Sequence, residues 1–498
     1  MLFNSLNFMV FFPCVVMVYF IIPNRVKYLW LLAMSYFFYM CWNAKYALLM
    51  LTSTVITYAS GMLIDRISQS NHDEVQKQIW KKWVVGLSFC VNLAILFFFK
   101  YFNFTVELLK TALGTVHVTL DIPALDVILP VGISFYTFQA LSYTMDVYRG
   151  EIKAEKNFFR YALFVSFFPQ LVAGPIERSK NLLCQLEVPH KFNAECARDG
   201  ILLMLWGFFL KMVLADRMAI FVDTVYGDIA TYSGWYLIVA TILFAVQIYC
   251  DFAGYSTIAI GTAKILGVQL MENFNAPYMA TTVSDFWRRW HISLTSWFKD
   301  YLYIPLGGSR KGTIRKYINK MIVFLVSGLW HGASLSFVLW GGINGLYQVI
   351  EEFTRPIRDH VVKRLKLNRS SMGHVLLQRF ITFVLIDFSW IFFRAENIND
   401  AVSVVNSIFT ASNPWILFDG SLYQCGLNSQ NFSLMLIAVC ILALADWCKN
   451  RGIVLREVIL KQDDWFRCLF IAVCVCLILL FGKWGPAFDQ ANFIYFQF

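Results

Sequence analysis

The stretch FLVSGLWHGASLSFVLWGGINGLY, residues 324–347, decides how this chain is read. It carries no Asp, Glu, Lys or Arg, and its one histidine is His331. An apolar run of about 20 residues is long enough to cross a bilayer. Gly328 and Gly332 flank the histidine, Ser327 and Ser334 lie close, and Gly341, Gly342 and Gly345 follow. Small residues let neighbouring helices approach closely, or let a helix break and line a cavity. An ionisable residue inside an apolar run is a functional-site hypothesis by default. Desolvation favours the neutral imidazole, the form that accepts a proton. The spacing alone leaves two readings level: a catalytic histidine, or a core histidine bonded to a backbone carbonyl.

The composition supports the membrane reading. Of 498 residues, 58% are hydrophobic and 15% charged, and the mean hydropathy is +0.57. A soluble chain carries roughly 25% charged residues. The chain reads as an all-α polytopic membrane protein forming one membrane domain over 1–498. Its first apolar run, Phe8 to Ile22, has no basic residue before it and no small-residue cleavage site. It is expected to be a retained span. The twelve cysteines are scattered, and no C-x-x-C pair occurs. They read as small apolar packing residues rather than a disulfide or zinc framework.

Spans are expected near 6–22, 28–42, 46–63, 83–99, 126–147, 199–215, 234–250, 376–394, 433–447 and 466–482. Shorter or interrupted segments lie at 101–114, 161–173, 252–269 and 321–352. The length rule gives about 10–13 spans, some re-entrant. Lys and Arg concentrate in one set of connections, including 355–369 and 449–467, whereas 218–263 and 395–448 have none. Basic loops belong in the cytoplasm. Both termini are therefore expected outside.

A second histidine lies in SDFWRRWHISLTSWFKDYLYIPLGGSR, residues 284–310. Ser284 is placed to cap a helix starting at Asp285. Trp287, Trp290, His291, Leu294 and Phe298 would then share one face, with Arg288, Arg289, Ser293, Ser296 and Lys299 on the other. The pattern predicts an interfacial helix at the cytoplasmic boundary. On pattern alone the favoured reading is a membrane-surface anchor with His291 packed. The functional reading is a basic rim of Arg288, Arg289 and Lys299 that receives an anionic donor, such as coenzyme A phosphates or an acidic carrier protein. Asp251, in YCDFAGYS, could orient a histidine, but pairing with an arginine or capping a helix is the stronger expectation. Two histidines forty residues apart, with no ligand cluster nearby, do not make a metal site. No Walker A motif or Rossmann glycine pattern is present.

These motifs together resemble a known family. LVAGPIER (171–178), DFAGYSTIAIGTAKILG (251–267), NFNAPYMATTVSDFWRRWHISLTSWFKDYLYIPLGG (273–308), SGLWHGAS (327–334) and WIFFRA (390–395) are similar to the membrane-bound O-acyltransferase (MBOAT) family. The branch most resembled is the bacterial one of alginate O-acetylation, related to the D-alanine transfer protein of teichoic acid synthesis. The resemblance covers about 130–394, leaving the spans 433–447 and 466–482 and an aromatic tail, 491–498, beyond it. It implies an acyltransferase fold around a central tunnel. His331 matches the family histidine and His291 the second polar position, both implied to be catalytic. Trp330, Asp251 and Asn273 are implied to support the tunnel.

No bound cofactor is implied. The implied donor is a cytoplasmic acyl thioester, acetyl-CoA or an acyl carrier protein, and the acyl group leaves on the outer side. The implied partners are the lipid membrane, an extracytoplasmic or membrane-anchored transferase and, indirectly, a surface polysaccharide; nucleic acid is not among them. The implied location is a bacterial cytoplasmic membrane. Phe493-Ile494-Tyr495-Phe496 resembles an F-x-Y-F motif of such export systems, which implies Tyr495 as an acyl relay. D-alanyl transfer remains an alternative. A secondary transporter would show paired inverted halves, which the sequence lacks. A non-catalytic scaffold of a polymer synthase would tolerate replacement of His331.

Overall fold

The computed structural model describes residues 1–117, 122–125, 129–172 and 174–483. Tyr495 and the tail 491–498 lie outside the described residues. Among the described residues the secondary structure is helical, with no strand. Six helices are long and apolar enough to cross a membrane: Ala44–Gln69, Glu74–Gly114, Trp235–Ile265, Met372–Arg394, Ser429–Asn450 and Asp464–Phe481. The chain is thus an all-α polytopic membrane protein. Two pairs of expected segments are continuous. Residues 83–99 and 101–114 fall in the single helix Glu74–Gly114, and 234–250 and 252–269 share Trp235–Ile265 up to Ile265. Other expected spans form shorter helices, such as Leu6–Ile21 and Lys27–Met40.

The chain divides into two compact units. The first comprises Met1–Met204 with Ser256–Met271. In it, Ala44–Gln69 packs on Ile133–Arg149 and on Glu74–Leu96, and Lys27–Met40 packs on Phe158–Ser166. Hydroxyls and amides stitch these helices through the core. Tyr161 donates to Thr57 Oγ1 at 2.7 Å, and Ser53 donates to Asn92 Oδ1 at 2.6 Å. Within the expected segment 126–147, the described helix is Ile133–Arg149. Gly132 precedes it with φ +74, and a Cβ there would strike the Leu171 carbonyl. Glu177, from the LVAGPIER stretch, is fully buried and accepts from the Met271 backbone N–H and from Asn181.

The second unit comprises Leu205–Tyr255 and Glu272–Phe498. Its centre is a helical hairpin of Thr313–His331 and Leu335–Phe353, packed in turn on Met372–Arg394. Gly328 lies against Phe337 and Gly341, and Gly341 lies against Phe324 and Gly328, so the two backbones meet directly. A Cβ on Gly328 or Gly341 would run into a carbonyl of the facing helix. The glycines of the 324–347 stretch allow close approach along the hairpin, and the helix breaks at residues 332–334.

Candidate active site

The second unit contains both histidines singled out from the sequence. His331 is the last residue of Thr313–His331. The helix stops there because Gly332 turns extended, with φ −158, and Ser334 caps the next helix by accepting from the Ser336 N–H. The imidazole is buried among rings, with centroids at 4.9 Å from Trp330, 5.1 Å from Trp340 and 5.4 Å from Phe393. Trp340 stacks on Trp390 at 5.7 Å and 21°. Trp390 and Phe393 come from the WIFFRA stretch of Met372–Arg394.

The segment around His291 differs from the sequence expectation. Instead of one amphipathic helix from Asp285, there are two short helices, Val283–Arg289 and Ile292–Phe298. The first is capped by Thr282, whose hydroxyl accepts from the Asp285 N–H at 3.0 Å. Ser284 is not the cap, and its N–H donates to Glu351 instead. The break falls at His291, which has φ +43 and ψ +54. A non-glycine residue in this left-handed region costs energy, and such strain clusters at functional sites. The expected wet face is also overturned at Ser293, which is fully buried. Trp287, Trp290, His291, Leu294 and Phe298 are buried as well.

The bend is held by the neighbouring segment from Glu272. Ile292 N–H donates to the Asn273 carbonyl at 3.0 Å, and Asn275 N–H donates to the Arg289 carbonyl at 3.0 Å. The Asn273 side-chain oxygen lies 3.1 Å from His291 Nδ1 and accepts from Ser293 N–H at 3.2 Å and Ser293 Oγ–H at 2.9 Å. Lys449 donates to the Phe274 carbonyl at 3.1 Å and pairs with Glu272. These bonds bring His291 to a ring-centroid distance of 6.5 Å from His331 and 6.0 Å from Trp330. Phe252 lies edge-on to it at 4.5 Å.

The three basic residues of the expected rim separate. Arg288 and Lys299 are exposed. Arg289 is half-buried, paired with Asp285 at 3.1 Å and donating to Asn450 at 3.0 Å. It is already engaged in structure.

Asp251 is paired with a lysine. It sits inside Trp235–Ile265, and Lys211 Nζ lies 2.5 Å from its Oδ1 and 2.8 Å from Asp216 Oδ1. All three side chains are about 3% exposed. Lys211 is carried by a wide π-helical turn, Phe209–Ala215. Such turns are rare and frequent at functional sites.

Sequence reasoning did not single out Phe252, Ser293, Trp340, Trp390 and Phe393 as individual parts of this site. Trp340 lies in the opening stretch and the others lie in the quoted motifs, so the signal was local but their meeting was not. Chemically, two buried imidazoles facing each other among aromatic rings can hold and move a proton where water is scarce. General acid–base groups of this kind contribute about 10²–10⁴ in rate.

Comparison with known proteins bears on which reaction this is. The family model for MBOAT, the membrane-bound O-acyltransferase family, matches residues 18–393. The probable alginate O-acetylase of Pseudomonas putida is 32% identical, over 100% of each chain. The peptidoglycan O-acetyltransferase of Helicobacter pylori is 31% identical, over 100% of this chain and 98% of that one. The teichoic acid D-alanyltransferase of Bacillus subtilis is 26% identical, over 53% of this chain and 68% of that one. Both histidines fall inside the matched family region, and so do Asn273, Trp340 and Phe393. This chain belongs to the membrane-bound O-acyltransferase family and is an O-acyltransferase.

Proposed function

We propose that the protein moves an acetyl group from cytoplasmic acetyl-CoA across the bacterial cytoplasmic membrane, through a central tunnel, for O-acetylation of an extracytoplasmic polysaccharide. The observation that carries this reading is the buried pair His291 and His331, 6.5 Å apart, inside an O-acyltransferase chain. The full-length similarity to a probable alginate O-acetylase supports acetyl over D-alanyl, because the D-alanyl relative aligns with about half of the chain. The distribution of Lys and Arg supports an arrangement with both termini outside. Arg288 and Lys299, exposed cations beside the His291 segment, are the donor-facing groups of this proposal.

The acceptor in this proposal is the Tyr495 hydroxyl. A tyrosine has a reference pKa of about 10 and needs a base to act as a nucleophile near neutrality. Its oxygen attacks the thioester carbonyl, the C–O bond forms, and the C–S bond breaks. The hydroxyl proton passes through the histidine pair to the departing sulfur, which leaves as the free thiol of coenzyme A. An external transferase then moves the acetyl group to a polysaccharide hydroxyl and regenerates the tyrosine. The experiment is reconstitution in vesicles with radiolabelled acetyl-CoA on the cytoplasmic side. Label on the protein, lost in His331→Ala, supports the reading. Equal labelling of the wild type and of His331→Ala removes it.

A further inference from the structure

Asn273 is 1% exposed and grips the bend at His291 through both its backbone and its side chain. Three groups converge on its Oδ1: His291 Nδ1 at 3.1 Å, Ser293 N–H at 3.2 Å and Ser293 Oγ–H at 2.9 Å. A backbone N–H can only donate, so the amide atom facing Ser293 is the oxygen and the amide is not reversed. An amide oxygen can only accept, so the hydrogen of the His291–Asn273 contact is on Nδ1. With Nδ1 bare, two lone pairs would face each other at 3.1 Å in a buried site, which is costly. Ser293 Oγ does not compete for Nδ1, since it lies 3.4 Å from it and gives its hydrogen to Asn273 at the shorter distance. Burial favours the neutral ring. In a neutral ring with its hydrogen on Nδ1, Nε2 carries the lone pair.

We propose that Asn273 is a positioning residue that locks His291 as the Nδ1–H tautomer and so makes Nε2 the proton-accepting nitrogen of the histidine pair. Its place in the reaction rests on the acyl-transfer reading above, whereas the tautomer itself does not. In that reaction Nε2 of His291 takes the acceptor hydroxyl's proton as the C–O bond forms and gives it to the sulfur as the C–S bond breaks. His331, 6.5 Å away, is the other member of the pair and shares that proton. Nothing is oxidised or reduced, and the imidazole ends as it began. The left-handed backbone at His291 lies at the same bend, where the Ile292 N–H also bonds to the Asn273 carbonyl at 3.0 Å.

The test is solid-state NMR of the full chain in lipid bilayers with ¹⁵N-labelled histidine. His291 is assigned by difference against His291→Gln. The expected wild-type spectrum at neutral pH has a protonated Nδ1 and a bare Nε2. Asn273→Asp keeps an oxygen acceptor and is expected to keep Nδ1 protonated, its negative charge also favouring the doubly protonated ring. Asn273→Leu removes the acceptor and is expected to lose it. Acylation by Asn273→Leu should fall by at least roughly 10²-fold, in line with what a misplaced acid–base group costs. A wild-type ring protonated on Nε2 or on both nitrogens overturns the proposal, and so does an unchanged pattern in Asn273→Leu. The wild-type spectrum decides the tautomer whether or not the Leu variant folds. A correct tautomer with full acylation by His291→Gln would instead remove the acyl-transfer role and leave the lock standing.

Discussion

The imidazoles of His291 and His331 lie 6.5 Å apart, centroid to centroid, at 63°. One sits at a break between two short helices and the other at the end of a long one. Each owes its position to backbone that leaves the helical path beside it: His291 itself, and Gly332 after His331. The site is thus assembled from two interruptions rather than from two helix faces.

His331→Ala should abolish polymer acetylation while membrane insertion persists. A positioned acid–base group is worth about 10²–10⁴ in rate, so the loss should exceed 10²-fold. The measurement is acetyl content of the exported polymer at matched protein abundance. Wild-type acetylation in that variant would assign His331 to packing.

Reversing the exposed cations in Arg288→Glu with Lys299→Glu should raise the donor concentration needed for half-maximal acylation. The effect should shrink with salt, because exposed charges are screened over about 10 Å at 0.1 M. Arg289 is left alone here, since its pairing with Asp285 and Asn450 would add a structural effect. Unchanged donor use at low salt would make these residues a membrane anchor.

Tyr495→Phe retains the ring and its affinity for an interface but removes the nucleophile. Acetylation should be lost at constant protein level. With the external transferase absent, intact-mass analysis of the C-terminal peptide of the wild type should find the acetyl group on Tyr495. Normal acetylation by the phenylalanine variant would rule out the relay.

Lys211→Met removes the ammonium from between the buried carboxylates of Asp216 and Asp251. Breaking a buried ion group in this way costs about 3–5 kcal/mol. Adding Asp216→Asn and Asp251→Asn to the same chain should recover most of that loss, because no charge is then stranded. Thermal unfolding in detergent distinguishes the two, and equal midpoints for the single and triple variants would contradict the argument.

Glycines of the hairpin should differ sharply in tolerance. A Cβ on Gly341 meets the Phe324 carbonyl, whereas one on Gly342 meets only a Leu325 methyl at 3.5 Å. Gly341→Ala should therefore cost about 1–3 kcal/mol by overpacking. Gly342→Ala should be neutral or stabilising, since alanine is favoured over glycine in a helix by about 1 kcal/mol. Parallel melting curves check both.

The membrane character, the two histidines and the small-residue hairpin were legible in the sequence. Hydropathy and local spacing are properties of a few consecutive residues. The break at His291 was not legible, because residues 284–298 satisfy a helical pattern on their own. Hydrogen bonds to the distant Asn273 and Asn275 hold the bent path. The lysine partner of Asp251 was not legible for a related reason. That partner, Lys211, lies forty residues earlier in an apolar stretch, where nothing local marks it as an ion-pair lysine.

By itself, then, the sequence determined that this is a helical membrane protein, where its apolar runs fall, and which residues could carry proton chemistry. Those follow from short-range composition and periodicity, and the motifs point to the family. Tertiary structure decided which of the candidates meet. It placed His291 beside His331, put Trp340, Trp390 and Phe393 around them, tied Arg289 into an ion pair and gave Asp251 to a lysine. These outcomes depend on contacts between segments tens to hundreds of residues apart, and a contact of that kind has no local signature for a sequence to carry.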